Sequence, residues 1–138
     1  MAEIPADLNA ANRKLIAEFR EHGRRLEGRP LLLLTTTGRR SGKQYTNPMM
    51  YVRLDDRLLV VASAAGAPKH PDWYENLAAE PSVTVECDGE EYPAIATPAA
   101  DRDQLFARIA EQYPFFDEHQ QGTDRVIPVV ELSRTHSG

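Results

Sequence analysis

The chain has 138 residues, of which 41% are hydrophobic and 27% charged, a length and balance that suit one domain, over residues 1–138, with a core that needs no disulfide or structural metal. The formal net charge of -5 argues against a nucleic-acid binder, whose phosphate contacts require a basic face. The single cysteine excludes an internal disulfide, and no apolar run approaches a membrane span, so we expect a cytoplasmic protein.

The first half of the chain predicts one helix followed by three strands. Apolar residues recur at helical spacing from Leu8 to Phe19, which predicts an amphipathic helix over about residues 7–23. The period then changes to that of extended chain. The predicted strands are Leu31–Thr37, Tyr45–Leu54 and Arg57–Ser63.

The middle of the chain predicts a short helix and a hairpin. Pro71–Leu77 is typical of a helix with proline in its first turn. Apolar and polar residues alternate over Val83–Asp88, and Tyr92–Thr97 resumes the extended pattern. Between them Asp88-Gly89 is a strong two-residue turn signal, so the two segments are expected to pair.

The C-terminal third predicts one more helix and a closing strand. Apolar residues recur at helical spacing between Asp101 and Tyr113, and Pro114 ends that pattern. Ile127–Leu132 predicts a strand in which Pro128 indicates an edge position. Short antiparallel strands with flanking helices favour a mainly β protein built on a small barrel.

The most informative segment follows the first predicted strand. It combines three threonine hydroxyls, a serine, two glycines and three cations in the run Thr35-Thr36-Thr37-Gly38-Arg39-Arg40-Ser41-Gly42-Lys43. Glycine permits positive φ and close backbone approach, while Ser, Thr, Arg and Lys donate to phosphate oxygens. A phosphate-binding turn is therefore predicted, with a solvated polar turn as the alternative. A nucleotide triphosphatase is disfavoured, because only three residues separate the glycines where a P-loop has four.

Four later motifs extend this interpretation: Asn47–Tyr51, Ala62-Ser63, Pro71–Leu77 and Asp124–Pro128. Together with the turn they resemble the deazaflavin-dependent nitroreductase family, including its F420H2-dependent quinone reductases, from about Leu31 to Leu132. The resemblance implies a split β-barrel like that of FMN-binding proteins, with coenzyme F420 as cofactor. It also implies hydride transfer from reduced deazaflavin to a small-molecule acceptor, which would be a quinone, an enone or a nitro compound.

The resemblance also implies a role for each motif in cofactor binding. The F420 phosphate would contact Arg39, Arg40, Ser41, Gly42, Lys43 and Gln44, with Thr35 and Thr36 beside them at the strand end. The deazaflavin ring would be lined by Asn47, Pro48, Met49, Val60, Val61, Ala62, Ser63 and Ala64. The site would be closed by Trp73, Tyr74 and Asn76. The oligoglutamate tail of F420 would contact Arg24, Arg25 and Arg29.

On the substrate side the resemblance implies three residues, Tyr113, Phe116 and His119. Family members that activate nitroimidazoles tend to place tyrosines along this stretch, and here only Tyr113 has a phenol. We therefore expect quinones or enones to be better acceptors, with Tyr113 and Ser63 as hydrogen-bond donors. The four histidines show no metal-ligand spacing, so no metal is predicted.

Two other functions remain open at this point. A protein that carries or sequesters F420 would need the same ring and phosphate sites without turnover. A split barrel that binds FMN or haem would share the barrel and the phosphate turn. If the acceptor is a lipid quinone, the N-terminal helix would be in peripheral contact with a membrane.

Overall fold

The computed structural model describes residues 6–24, 30–63 and 66–135, and these contain four helices and seven strands. The helices are α1 (Ala6–Glu21), α2 (Asp72–Ala79), α3 (Arg102–Gln112) and α4 (Phe115–Gln121). The strands are β1 (Leu31–Thr37), β2 (Gln44–Met50), β3 (Val52–Leu54), β4 (Arg57–Val61), β5 (Ser82–Cys87), β6 (Glu90–Pro98) and β7 (Val129–Arg134). In this part of the chain, no helix has both the length and the apolar character that crossing a bilayer requires.

All seven strands belong to one antiparallel sheet in the order β2-β1-β5-β6-β7-β4-β3. Its two edge strands, β2 and β3, are consecutive in the chain and are joined by Tyr51 alone. Because one residue cannot span a flat sheet of this width, the sheet must curl until its edges meet. The Tyr51 N–H still donates to the carbonyl of Pro30 at 3.0 Å, in register with the β1–β2 pairs, before the chain turns to pair with β4 through β3. This architecture confirms the predicted mainly β split barrel.

Two groups of buried apolar residues fill the structure. The first lies between the sheet and α2 and includes Leu32, Leu34, Val60 and Leu77. The second joins α3 and α4 to β3, β4 and β7 and is built around Leu59, Leu105, Phe106, Ile109 and Phe116. We call them the α2 core and the α3–α4 core. Since side chains alternate along a strand, Leu59 and Val60 of β4 serve one core each.

A buried carboxylate fixes α1 on the sheet. Glu86 of β5, a strand between β1 and β6, is 1% exposed. It accepts two hydrogen bonds from Arg20, at 2.9 and 2.8 Å, and one from Arg24 at 3.1 Å. Arg24, a predicted contact of the oligoglutamate tail, is thus paired within the protein, and Arg25 and Arg29 lie outside the described residues. The predicted N-terminal helix is confirmed, with Phe19 completely buried.

Three strand predictions need correction. The strand predicted over Tyr45–Leu54 is two strands, because the chain pairs with β1 before Tyr51 and with β4 after it. The strand predicted over Arg57–Ser63 ends at Val61. The edge position inferred from Pro128 is wrong, because β7 lies between β6 and β4. Pro128 precedes β7 and needs no N–H there. Its carbonyl accepts a hydrogen bond from the Ala62 N–H at 3.0 Å.

Pro114 was expected to end the helical region, and it instead separates two helices. The proline sits at the N-cap of α4, which the sequence pattern did not predict. Its missing N–H costs nothing at this position, because the first N–H groups of a helix have no intrahelical acceptor. The second of the two helices carries Phe116 and His119.

Candidate functional site

The turn between β1 and β2 is closed by its own backbone. The Gly38 N–H donates to the Lys43 carbonyl at 2.7 Å, and the Gly42 N–H donates to the Gly38 carbonyl at 2.9 Å. Gly42 has a φ of 72°, where other residues are strained. A Cβ at Gly38 would lie 2.7 Å from the Tyr45 ring, so a side chain at this position would displace that ring.

Asn76 ties this turn to α2. Its side chain is buried, and its Oδ1 accepts from the backbone N–H of Arg39 at 3.2 Å and from the Arg39 guanidinium at 2.7 Å. Its Nδ2 lies 3.5 Å from the hydroxyl of the buried Thr36. Arg39 also reaches Asp72 at 3.5 Å. The Arg39 charge is therefore used within the protein, to hold the turn against the helix.

Arg40 and Lys43 are the cations that this turn leaves available. Both are exposed, and within the described ranges neither side chain has an ion pair or a side-chain hydrogen bond. Ser41 lies between them with its hydroxyl 3.2 Å from the Tyr45 hydroxyl. Two unpaired cations and hydroxyl groups on a glycine turn are a donor set that fits a phosphate.

The predicted ring site draws on three elements around the α2 core. Met49 of β2 and both Trp73 and Tyr74 of α2 are half-buried and pack against this core, of which Val60 is a member. On β2, Asn47 and Pro48 are half-buried too, while Gln44 at its start is exposed. Thr35 pairs across β1 and β2 with Thr46, their hydroxyl oxygens 2.7 Å apart.

The remaining ring-site positions lie at the end of β4. Val61 is half-buried and packs instead on the α3–α4 core. Ala62 and Ser63 are buried just beyond the strand, and Ala64 lies outside the described residues. The side chains of β4 therefore alternate between the two cores up to the point where the resemblance places the deazaflavin ring.

The predicted substrate residues come together around His119. Its Nδ1 lies 3.2 Å from the Ser63 hydroxyl oxygen, and its ring meets the rings of Phe115 and Phe116 edge-on at 5.6 and 6.0 Å. The Tyr113 ring in turn contacts both phenylalanines. Phe116 is 6% exposed and belongs to the α3–α4 core, whereas Phe115 is 40% exposed. Phe115, which sequence reasoning left out, is thus the more accessible ring.

Sequence reasoning also assigned no role to Arg125 and His70. Arg125 lies in the Asp124–Pro128 motif, and its guanidinium contacts the β4–α2 connection, which carries Ser63. His70 stacks on Tyr74 with ring centroids 4.7 Å apart. The motif was the only sequence signal for Arg125, because three of its partners are backbone carbonyls, the fourth is the His70 ring, and all lie far away in the sequence.

A surface cleft of about 340 Å³ lies elsewhere, and none of the predicted site residues lines it. Its cationic residues are Arg53, Arg57 and Arg134. Each is paired with an acid: Asp88 for Arg53, Asp101 and Glu131 for Arg57, and Glu90 for Arg134. This cleft is therefore less suited to an anionic ligand than the turn that carries Arg40 and Lys43.

A curled antiparallel sheet, a cationic glycine turn and an aromatic wall on α2 define a split-barrel protein of the cofactor-binding kind. The model of the F420H(2)-dependent quinone reductase family matches residues 10–133. The chain belongs to this family. Membership confirms the predicted class, an oxidoreductase that uses coenzyme F420.

Individual relatives agree with this assignment. The chain is 36% identical over 121 residues to an F420H(2)-dependent quinone reductase of Mycobacterium tuberculosis, covering 81% of this chain and 79% of the relative. It is 39% identical to a solved F420-H2 dependent reductase, FDR-A, covering 76% of this chain and 95% of the other, with a TM-score of 0.67. The heme storage protein HutZ of Vibrio cholerae shares the fold at 18% identity and a TM-score of 0.59, over 90% of each chain.

Proposed function

We propose that this protein transfers a hydride from F420H2 to a quinone. The observation that carries the proposal is the link through Asn76. This side chain joins the turn bearing Arg40 and Lys43 to α2, whose Trp73 and Tyr74 pack beside Met49 and Val60. This link supports the proposal, because a cofactor with a planar ring and a phosphate needs its phosphate site and its apolar, aromatic ring site held relative to each other.

In this proposal Arg40, Ser41 and Lys43 hold the F420 phosphate, while Gly42 lets the backbone approach it. Arg39 keeps the turn in place through Asn76 and is not itself a free donor. Met49, Val60, Trp73 and Tyr74 supply apolar and aromatic contacts to the deazaflavin. The bound cofactor supplies the hydride, so the chain's residues have to bind, orient and exclude water.

The acceptor side is proposed to lie at Ser63, Tyr113 and His119. A quinone that receives a hydride also takes up one proton at oxygen and becomes a quinol. The Ser63 hydroxyl can donate a hydrogen bond to that oxygen. His119, whose Nδ1 lies 3.2 Å from the Ser63 hydroxyl oxygen, is placed to return a proton to Ser63. Phe115 and Tyr113 offer rings against which a flat quinone can stack.

The same residues favour quinones or enones over nitro compounds as acceptors. Two hydroxyls, on Ser63 and Tyr113, serve one carbonyl oxygen well, whereas a nitro group has two oxygens to satisfy. Phe116, which stands where a further phenol would add a donor, is turned into the α3–α4 core. A cytoplasmic location and peripheral contact with a membrane that supplies a lipid quinone stay predictions.

Anaerobic oxidation of F420H2 tests the proposal. Its absorbance is followed with menadione, cyclohexenone and a bicyclic nitroimidazole at equal concentrations, and F420 binding is measured separately by equilibrium dialysis. We expect the highest kcat/KM for menadione. Faster turnover of the nitroimidazole would refute the proposed acceptor. Binding of F420 without oxidation of F420H2 by any of the three would refute the proposed activity.

A further inference from the structure

Arg125 makes an unusual set of contacts with the β4–α2 connection. Its Nε donates to the carbonyl of Ala67 at 2.8 Å, its Nη1 to that of Ala62 at 3.1 Å, and its Nη2 to that of Ser63 at 2.6 Å. The same Nη1 lies 2.9 Å from the Nδ1 of His70. One side chain therefore holds the connection at four points, on both sides of residues 64 and 65.

These contacts are made without a compensating acid. Within ranges 6–24, 30–63 and 66–135, no carboxylate is paired with Arg125. Burial lowers the pKa of its guanidinium, which nevertheless stays charged, as arginine does in proteins. Carbonyl oxygens attract a guanidinium less strongly than a carboxylate does. The role of Arg125 is therefore to fix the positions of its partners, through donors that point in fixed directions.

Arg125 is itself held from α3 and α4. Gln120 donates to the Arg125 carbonyl at 2.8 Å, and its Oε1 accepts from the Ile127 N–H at 2.9 Å and from Arg102 at 2.6 Å. Arg102 lies over the Phe106 ring, 4.2 Å from its centroid. The guanidinium is thus presented from a segment anchored in the α3–α4 core.

The opposite side of the connection rests against α4. Gly66, with a φ of 81°, donates its N–H to the Ser63 carbonyl at 2.8 Å. A Cβ at Gly66 would lie 2.8 Å from the carbonyl oxygen of His119, so the two backbones are in close contact. The Ser63 carbonyl therefore accepts from both Gly66 and Arg125, while the Ser63 hydroxyl faces the His119 ring.

We propose that Arg125 is a positioning residue for the reduction step, which fixes the backbone at Ala62 and Ser63 so that the Ser63 hydroxyl stays aligned with His119 and with the acceptor. The proposal rests on the proposed function, because Ser63 must serve the acceptor for its alignment to matter. Arg125 itself touches neither the phosphate turn nor the Ser63 hydroxyl. Its loss should therefore affect turnover more than cofactor affinity.

The test compares Arg125→Lys with Arg108→Lys. The control residue, Arg108, is an exposed arginine that donates two hydrogen bonds to Asp55, at 2.6 and 3.3 Å. Lysine keeps the charge but cannot donate along three fixed directions. We measure kcat and KM for menadione with saturating F420H2, the Kd for F420, and the thermal unfolding midpoint, with all kinetics well below that midpoint.

In Arg125→Lys we expect kcat to fall by about tenfold to a hundredfold, as small misplacements of reacting groups do, with the F420 Kd changed less than about threefold. Arg108→Lys should match the wild type. Guanidinium ion at millimolar concentration should restore part of kcat in Arg125→Ala and leave the wild type unchanged. An unaltered kcat in Arg125→Lys would overturn the proposal, as would a variant that binds no F420 or shows no cooperative unfolding.

Failure of the proposed function would be recognised separately, because the wild type itself would then not oxidise F420H2 with menadione. Hydrogen exchange still tests the positioning in that case. The amides of residues 66, 67, 69 and 70 should exchange faster in Arg125→Lys than in the wild type, while those of β1 stay unchanged. Equal exchange in this segment would show that Arg125 does not hold the connection.

Discussion

His119 Nδ1 lies 3.2 Å from Ser63 Oγ, which joins helix α4 to the end of strand β4 at the proposed acceptor side. Ser63→Ala removes the hydroxyl, and a lost hydrogen bond of about 1–1.5 kcal/mol corresponds to about a tenfold fall in kcat/KM for menadione. His119→Phe keeps a ring of similar shape and should reduce kcat/KM to a similar extent.

Because the two residues act as a pair, the double variant should lose little more than either single one. Ser133→Ala, at an exposed serine of β7, is the matched control and should behave as the wild type. Multiplicative losses in the double variant would contradict coupling between Ser63 and His119.

The phosphate assignment is tested at Arg40 and Lys43. Charge-assisted hydrogen bonds contribute about 1.5–3 kcal/mol each, so the double substitution to alanine should raise the F420 Kd by about a hundredfold or more at low salt. The matched control is Arg13→Ala with Lys14→Ala, which removes two exposed cations from α1. If both double variants weaken binding equally, only the net charge matters and the assignment is wrong.

Trp73 should report cofactor occupancy, because this half-buried ring, the only tryptophan, lies on α2 beside Met49 and Tyr74. Titration with F420 should quench its emission with the same midpoint that equilibrium dialysis gives. Trp73→Phe serves as the blank for emission from the cofactor. An unchanged tryptophan signal at saturation would place the ring away from the cofactor.

Glu86→Gln should destabilise the fold. The lost hydrogen bonds to Arg20 and Arg24 involve a charged group, and each is worth about 1.5–3 kcal/mol. The larger penalty of an uncompensated buried charge does not apply, because both arginines are partly exposed, 45% and 33%, and can be hydrated. Urea unfolding should show this loss for Glu86→Gln and at most about 1 kcal/mol for Glu90→Gln, whose ion pair with Arg134 is exposed.

The Arg20 hydrogen bonds hold the pKa of Glu86 below its ordinary value of 4.5. The unfolded chain therefore binds this proton first as pH falls. The stabilisation is complete above about pH 4.5 and is lost as the pH drops through the folded-state pKa. Wild-type stability should fall below pH 4.5 more steeply than that of Glu86→Gln, and parallel curves would contradict this origin.

Local patterns predicted the strand Leu31–Thr37 with the bounds that the structure has. The hydrophobic run and the threonines both favour extended chain there, and the glycine turn ends it. They failed at Tyr51 and Pro128, where the position of a strand in the sheet decides. A sequence pattern shows which residues favour extended chain, but it does not show which strands become neighbours.

The candidate site divides in the same way. The glycine turn is local, so its residues could be found from the sequence. The clamp by Arg125 joins a side chain to carbonyls 58 to 63 residues away along the chain. Carbonyls are present at every residue. No residue type marks which of them will be contacted.

The closure at Tyr51 has a consequence for association between copies of the chain. The two strands that border the sheet are β2, which contains Pro48, and β3, which has only three residues and carries Arg53 outward. Proline cannot donate to an added strand, and a short charged border offers little to pair with. Neither edge strand is therefore suited to pair with an extended segment of another molecule. The barrel is protected against edge-to-edge aggregation, although no hydrogen-bonded pairing of β2 with β3 closes its sheet.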